Sequence, residues 1–323
     1  MAAKLSLYPW QDAIWSHLQA YQAQNRLPQG LLLSGPKGIG KTRLAHYFAH
    51  GTLCEKGRHC GQCASCKLLA GGTHPDLLII APEPGKILTV ESIRSLIERL
   101  ELKPQYGKGR VVIIESADRM NIASANSFLK TLEEPGPGTQ IFLICENPAL
   151  LPATIRSRCQ HIKLAPPAEK VSLDWLQSQG FDLEPSQLAL ALNHGAPLLA
   201  KSWLESDAST RRQKFLHHWQ ALMESRQDPV VLAEQWKDEP LEALLSWSTA
   251  LAADLIRLAF GMGGRVMNPD CQALLQKYGE QLNLRKLMDY WQQLLAAKRD
   301  CHSQVNRQLM LETLFIETYR LTP

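Results

Sequence analysis

Residues Gly35-Pro-Lys-Gly-Ile-Gly-Lys-Thr42 fit the pattern G-x-x-x-x-G-K-[ST] at every defined position. That pattern holds a polyphosphate. Glycines at 35 and 40 let the chain turn so that consecutive backbone N–H groups face one anion. Lys41 reaches the β- and γ-phosphates, and the Thr42 hydroxyl is a ligand for Mg2+. Pro36, Lys37, Gly38 and Ile39 complete the loop. The plain alternative is a strand–turn–helix junction that happens to carry glycines. An apolar strand before the loop and a helix-forming stretch after it, in the required order, favour the nucleotide reading.

Four thiols form a second constellation. Cys54, Cys60, Cys63 and Cys66 lie within thirteen residues. Four thiolates suit a structural zinc ion in a closed tetrahedral shell, with no position left open for catalysis. Gly57 and Gly61 supply the tight turns of such a knuckle. Unmetallated thiols at this spacing would be reactive surface groups. Cys54 is the least secure ligand because it ends the helix that follows the loop, and His59 or His74 could stand in for it. Cys145, Cys159, Cys271 and Cys301 are scattered and read as small apolar side chains.

A nucleotide site also needs an acid near Mg2+. The apolar run Val111-Val-Ile-Ile114 is followed by Glu115-Ser116-Ala117-Asp118, which places Glu115 to serve the metal. A hydrolytic site usually has a second carboxylate beside it to activate water. That position is Ser116, whose hydroxyl is too weak a base. Asp118, two residues further on, need not face the phosphate. The expectation is nucleotide binding with poor hydrolysis. Arg156 and Arg158 lie in Pro152-Ala-Thr-Ile-Arg-Ser-Arg-Cys159. Just beyond the last strand of such a domain, an arginine can project from its edge and stabilise charge on a neighbour's γ-phosphate. On the residues alone both have an equal claim, and a surface arginine or a salt-bridge partner is the simpler reading of either.

Elements of two kinds must position these groups. Residues 8–27 read as a helix and Leu31–Leu33 as the end of a buried strand. Leu77–Ala81, Val111–Ile114 and Ile141–Cys145 read as three further strands. Between them, Ile93, Leu96, Ile97 and Leu100 mark one helix face, and residues 121–134 form a helix ended by Pro135-Gly136. Unbroken apolar strands imply a sheet covered on both faces, and the alternation implies an open, mostly parallel α/β sheet. After Ala165-Pro166-Pro167 the strand pattern stops. Short helices at 168–179, 185–193 and 196–205 follow, and from Ser209 the chain reads as helical. It carries apolar seams at Leu241, Leu244, Leu245, Leu251, Leu255 and Leu258, and at Leu284, Leu287, Met288, Trp291, Leu294 and Leu295.

A length of 323 residues implies two or three domains. Apolar content of 45% and charged content of 20% are those of a folded globular chain. A net charge of +4 argues neither for nor against nucleic acid. No apolar run approaches the ~20 residues that span a bilayer. The stretch MAAKLSLYPWQDAIW lacks the apolar core of a secretory leader. The expected location is the cytoplasm, with no membrane partner, where eight cysteines are not a disulfide framework.

GPKGIGKT, the four-cysteine insert, THPD (73–76), SANSFLKTLEEP (124–135) and SRC (157–159) together resemble the AAA+ subunits of the bacterial sliding-clamp loader. The resemblance implies an AAA+ P-loop NTPase domain at 1–165 with a zinc insert at 54–66. A small helical lid at 166–207 and a C-terminal helical collar domain at 208–323 would follow. The family's gamma/tau motor subunits carry an acidic pair where this chain has Glu115-Ser116. They carry a nucleotide-sensing arginine where it has Leu198, and a threonine where it has Cys145. These departures are similar to the family's delta prime branch, although an intact P-loop is unusual there and leaves binding of ATP with Mg2+ open. The resemblance implies that Arg158, not Arg156, completes a neighbour's ATP site in trans. It further implies gamma/tau and delta partners in a hetero-pentamer of DNA polymerase III, a nucleotidyltransferase, which loads the clamp on primed DNA. Two rivals are a self-sufficient gamma-like ATPase motor and a zinc-dependent nucleic-acid binder. The second has only Lys56, Arg58 and Lys67 near the thiols and no aromatic residue for base stacking.

Overall fold

The computed structural model describes residues 5–24, 26–57, 59–83, 85–106, 109–262, 266–279, 281–301 and 306–321. Arg58 lies outside the described residues. Five strands build the sheet: β1 (Gly30–Ser34), β2 (Leu77–Ile80), β3 (Arg110–Ile114), β4 (Thr139–Cys145) and β5 (Gln160–Lys163). Their order is β2-β3-β4-β1-β5 and every pairing is parallel. Every residue of β1, β3 and β4 is buried, as central strands require when helices cover both faces. Strand β5 is absent from the sequence reading. It is an edge strand whose residues Gln-His-Ile-Lys are mostly exposed, so it carries no apolar run to betray it. Arg156 and Arg158 therefore precede the final strand instead of following the last one.

The helices are α1 (Asp12–Ala23), α2 (Lys41–Leu53), α3 (Ala64–Ala70), α4 (Val90–Glu101), α5 (Ile122–Glu133), α6 (Ala153–Arg156) and α7 (Glu169–Ser178). The expected helix over 8–27 is shorter at both ends. A 3-10 turn at Pro9–Gln11 precedes it and the chain leaves the helix at Gln24. Helix α4 begins where Thr89 accepts a bond from the Ser92 N–H, and α5 where Asn121 accepts one from Ser124. Ile93 and Leu96 of α4 and Phe128 of α5 are buried against the sheet's apolar residues. In THPD, Asp76 is fully buried and accepts bonds from the Gln105 and Tyr106 N–H groups at 2.9 Å each, so it fixes a loop.

Eight further helices follow: α8 (Leu183–Leu192), α9 (Pro197–Glu205), α10 (Ala208–Met223), α11 (Pro229–Gln235), α12 (Leu241–Ala259), α13 (Gln272–Gly279), α14 (Leu284–Asp300) and α15 (Arg307–Tyr319). Two compact units result: Met1–Trp175 with Ala196–Leu198, and Leu176–Gly195 with Leu199–Pro323. No described helix is long and apolar enough to cross a membrane.

The helical unit has its own core. Trp219 and Trp236 are buried with Phe215, Leu245, Leu255 and Leu294. Most of the seam at 241–258 faces this core, whereas of the seam at 284–295 only Leu287 and Leu294 are buried, with Trp291 packed partly exposed against them. A polar network crosses this core. Arg212 donates to Asp270 at 2.6 and 3.0 Å and to Asn268 at 2.8 Å. Asp254, fully buried, accepts from the Met267 N–H (3.0 Å), the Asn268 N–H (2.9 Å) and the Asn268 side chain (2.8 Å). Replacing Asp254 with Ala would strand two buried donors on Asn268 and a partly buried one on Met267, so Asp254→Ala should destabilise the helical unit by about 3 kcal/mol. Urea unfolding followed by tryptophan fluorescence checks this, and a midpoint equal to that of the parent chain would refute it.

Candidate nucleotide cleft, thiol centre and edge arginine

The carboxyl ends of β1, β3 and β4 meet at one edge of the sheet, where open α/β sheets bind ligands. In register, Ser34 of β1 lies beside Cys145 of β4. The glycine loop leaves β1 there, and a cleft of about 520 Å3 opens over it. The loop residues Lys37, Gly38, Gly40, Lys41 and Thr42 line the cleft. Opposite them stand Glu115, Ser116, Cys145 and Glu146, with Tyr8, His46 and Leu198 on the remaining walls. Gly35 (φ +146°), Gly38 (+79°) and Gly40 (+85°) adopt the positive angles that the motif demands. At Gly35 a Cβ would stand 2.2 Å from the Leu164 carbonyl oxygen, so only glycine fits.

Lys41 is buried at the start of α2, and its Nζ donates to the Gly35 and Pro36 carbonyls at 2.7 and 2.8 Å. Burial lowers its pKa, partly offset by nearby acidic groups, Glu146 foremost. A phosphate entering the cleft would compensate a charge that already lacks water. Glu115 projects from the end of β3 into the same space, and burial pushes its carboxyl up from the usual range. A divalent cation held through water would reverse that shift.

Ser116 follows in a left-handed conformation (φ +49°). The Asp118 carboxylate is engaged elsewhere, accepting from the Glu146 and Asn147 N–H groups at 3.0 and 2.9 Å. Cys145 is buried, its thiol pushed up to about 12 chiefly by burial, so it offers neither a base nor a strong donor. Besides Glu115, the carboxylate that lines the cleft is Glu146, which follows β4 and is not the neighbour of Glu115 after β3. Leu198 meets the loop through its backbone, its N–H donating to the Gly38 carbonyl at 3.0 Å.

The four expected thiols come together, with every Sγ within 4.8 Å of the others. Cys54 closes α2 and Cys63 caps α3, so the two helices carry the insert. Backbone N–H groups of Cys60, Cys63 and Cys66 point at sulfurs at 3.5, 3.4 and 3.3 Å. A zinc tetrahedron with bonds of ~2.3 Å has edges of ~3.8 Å. Cys60 and Cys66 already stand 3.9 Å apart, so the set could hold such an ion with small adjustment. The histidines weighed as substitutes face elsewhere. His59 stacks on Tyr47 and bonds its carbonyl at 2.6 Å. His74 uses both ring nitrogens, one with Ser65 (2.8 Å) and one accepting from the Asp76 N–H (3.1 Å).

Arg158 lies between α6 and β5. Its guanidinium donates to Glu133 at the end of α5 at 2.6 and 2.5 Å, and to the Thr154 carbonyl at 3.0 Å. About a third of the side chain remains exposed. Arg156, two residues earlier at the end of the short α6, is also exposed.

Sequence reasoning passed over the segment before α1. Trp10 donates from its indole N–H to the Ile39 carbonyl at 2.9 Å, and Gln11 donates to the Gly40 carbonyl at 2.7 Å. Both bonds join residues 29 apart in sequence, and no local spacing announces them.

Comparison with known proteins agrees with this geometry. The family model described as DNA polymerase III, delta subunit, matches residues 10–168, and that of its C-terminal part matches residues 206–318. DNA polymerase III subunit delta′ of Pseudomonas aeruginosa is 32% identical over 321 residues, covering 96% of this chain and 97% of that protein. The subunit delta′ of Escherichia coli K12 is 31% identical, covering 96% and 94%. Among solved structures, a DNA polymerase III gamma subunit-related protein of Thermotoga maritima covers 94% of this chain and 99% of its own, at 18% identity and a TM-score of 0.47. The parallel sheet with its loop behind β1, followed by a helical region, is the AAA+ architecture that the motifs imply. Because the identity extends through the sheet and the helical region alike, the chain belongs to the DNA polymerase III subunit delta′ family.

Proposed function

We propose that this chain is the delta prime component of a clamp loader, the assembly that places a ring-shaped sliding clamp on primed DNA. In this reading it holds a nucleotide without spending it and lends Arg158 to the ATP of an adjacent gamma/tau subunit, with delta completing the hetero-pentamer. One observation supports this best. The cleft keeps the loop, Lys41, Thr42 and Glu115, yet it has Ser116 and Cys145 where a hydrolytic site needs a base and a polar group to orient water. Residues 1–165 would form the nucleotide domain, 166–207 a lid and 208–323 the collar that joins subunits. The nucleotidyl transfer of the polymerase would belong to other chains of the holoenzyme.

In the cleft, Lys41 would exchange its bonds to the Gly35 and Pro36 carbonyls for the β- and γ-phosphates, and Thr42 and Glu115 would hold Mg2+. The metal would supply charge neutralisation between the phosphates. For Arg158, the pair with Glu133 sets what leaving costs. Both side chains are partly exposed, and such pairs contribute only about 0–1 kcal/mol. A triphosphate on a neighbour offers several negative charges, so it outcompetes one carboxylate. Glu133 then serves as a rest for the finger and not as a lock. For the thiols we propose structural zinc, since four thiolates in a closed shell leave no open coordination position.

Arginine fingers change the rate at their own site by about 10³–10⁵. In the complex reconstituted with gamma/tau and delta, Arg158→Ala should therefore depress the DNA- and clamp-stimulated ATPase while leaving assembly intact, whereas Arg156→Ala should not. Unchanged ATPase in the Arg158 variant would remove the finger role. The purified chain should also carry one zinc ion by elemental analysis. Cys60→Ala combined with Cys63→Ala should lose it and lower the melting temperature by several degrees, because metal binding is folding free energy. A metal-free chain whose melting point ignores added zinc would contradict the assignment.

A further inference from the structure

The glycine loop is held from outside by groups that the nucleotide reading does not use. Each peptide group is planar and trans, so the carbonyl of one residue and the N–H of the next point in opposite directions. Fixing a carbonyl on one side of the loop therefore aims an amide toward the other. Three consecutive carbonyls are fixed in this way. Gly38 accepts from the Leu198 N–H at 3.0 Å, Ile39 from the Trp10 indole at 2.9 Å, and Gly40 from the Gln11 side chain at 2.7 Å beside the Leu44 N–H of α2 at 3.1 Å. The amides directed oppositely are those of Ile39, Gly40 and Lys41, the ones a polyphosphate would need.

The donors are themselves immobilised. Gln11 is fully buried, and its side-chain oxygen accepts from the Tyr8 N–H at 3.1 Å while its nitrogen donates to Gly40. A backbone N–H can only donate and a carbonyl can only accept, so the amide has one orientation. Trp10 stacks on Tyr8 with ring centres 4.9 Å apart, and Trp175 stands edge-on to both at 5.3 and 5.6 Å. From the helix side, Arg43 bonds the Ser6 carbonyl and hydroxyl and sets its guanidinium over the Tyr8 ring at 4.6 Å. The approach is close: a Cβ at Gly40 would lie 2.7 Å from the Tyr8 ring and 2.8 Å from the Gln11 nitrogen. That contact gives Gly40 a second reason to be glycine, besides its φ.

We infer that Trp10 and Gln11 are positioning residues of the nucleotide cleft, whose bonds hold the Ile39 and Gly40 carbonyls outward and so aim the Gly40 and Lys41 amides at the phosphates. The inference rests on the reading of the cleft as a nucleotide site. The segment 8–11 acts as a strap: it touches no phosphate, yet it determines which way the loop's dipoles face. Tyr8 belongs both to this strap and to the cleft wall, so the strap also shapes the space beside the loop.

The test uses the full chain and two probes, MgATP and inorganic pyrophosphate, with affinities measured by calorimetry. Trp10→Phe keeps a ring against Tyr8 and Trp175 but has no donor for Ile39. Gln11→Met keeps the volume and loses the bond to Gly40. Each should weaken both probes about fivefold, and the pair together more than tenfold, with zinc content unchanged. Affinities within twofold of the parent in both single variants and in the double would overturn the inference. A second readout needs no ligand. A hydrogen bond to a carbonyl polarises the N–H of the same peptide group, so Trp10→Phe should move the Gly40 amide resonance and Gln11→Met that of Lys41. Resonances that stay in place would overturn the strap on their own. Moved resonances in a parent chain that binds neither probe would remove the nucleotide reading and uphold the strap.

Discussion

Backbone amides can cradle an anion only when the carbonyls on the far side of the same peptide groups have partners of their own. A carbonyl left without one would cost about 1–3 kcal/mol when buried, and the loop would turn to relieve it. Here the carbonyl of Gly38 is taken by Leu198, that of Ile39 by Trp10, and that of Gly40 by Gln11 together with the Leu44 N–H of α2. The cradle is therefore a property of the surrounding unit as much as of the glycines. A sheet with β1 second from its edge, a helix starting at Lys41 and a segment folded back ahead of α1 all serve that arrangement.

The same site explains how binding and turnover can separate. Holding a triphosphate draws on amides, a lysine, a hydroxyl and a carboxylate near the metal, all of which line the cleft. Splitting it requires in addition a base beside Glu115 and a charge opposite the leaving phosphates. The first place is Ser116, and Asp118 is spent bracing the loop after β4. The second would fall to a sensing arginine, but Leu198 contributes only its backbone N–H. At the edge of the unit the Arg158 guanidinium pairs with Glu133, and both side chains are partly exposed, where such pairs are weak.

How much of this was legible in the sequence followed the range of the interactions involved. The loop and the thiol set are local patterns, and the structure gives the loop glycines positive φ angles and brings the four sulfurs together. Strands β1, β3 and β4 announced themselves because burial on both faces leaves an unbroken apolar run. Strand β5 did not, since at the edge its side chains meet water and the parallel pairing to β1 is carried by backbone. The helix over 8–27 was drawn too long because Pro9 and Gln11 belong to a short turn whose purpose is the loop, not α1. Trp10 and Gln11 act across 29 residues and Arg158 meets Glu133 across 25, distances at which a single sequence records no pairing.

Most of the account rests on one contrast, a cleft able to keep a nucleotide that it does not consume. The most direct measurement mixes an excess of the purified, partner-free chain with γ-labelled ATP and follows bound triphosphate and released phosphate over time. The account predicts label retained on the protein as intact triphosphate, with phosphate release no faster than in buffer. Sustained multiple turnover by the lone chain, lost when Lys41 is replaced by alanine, would contradict it.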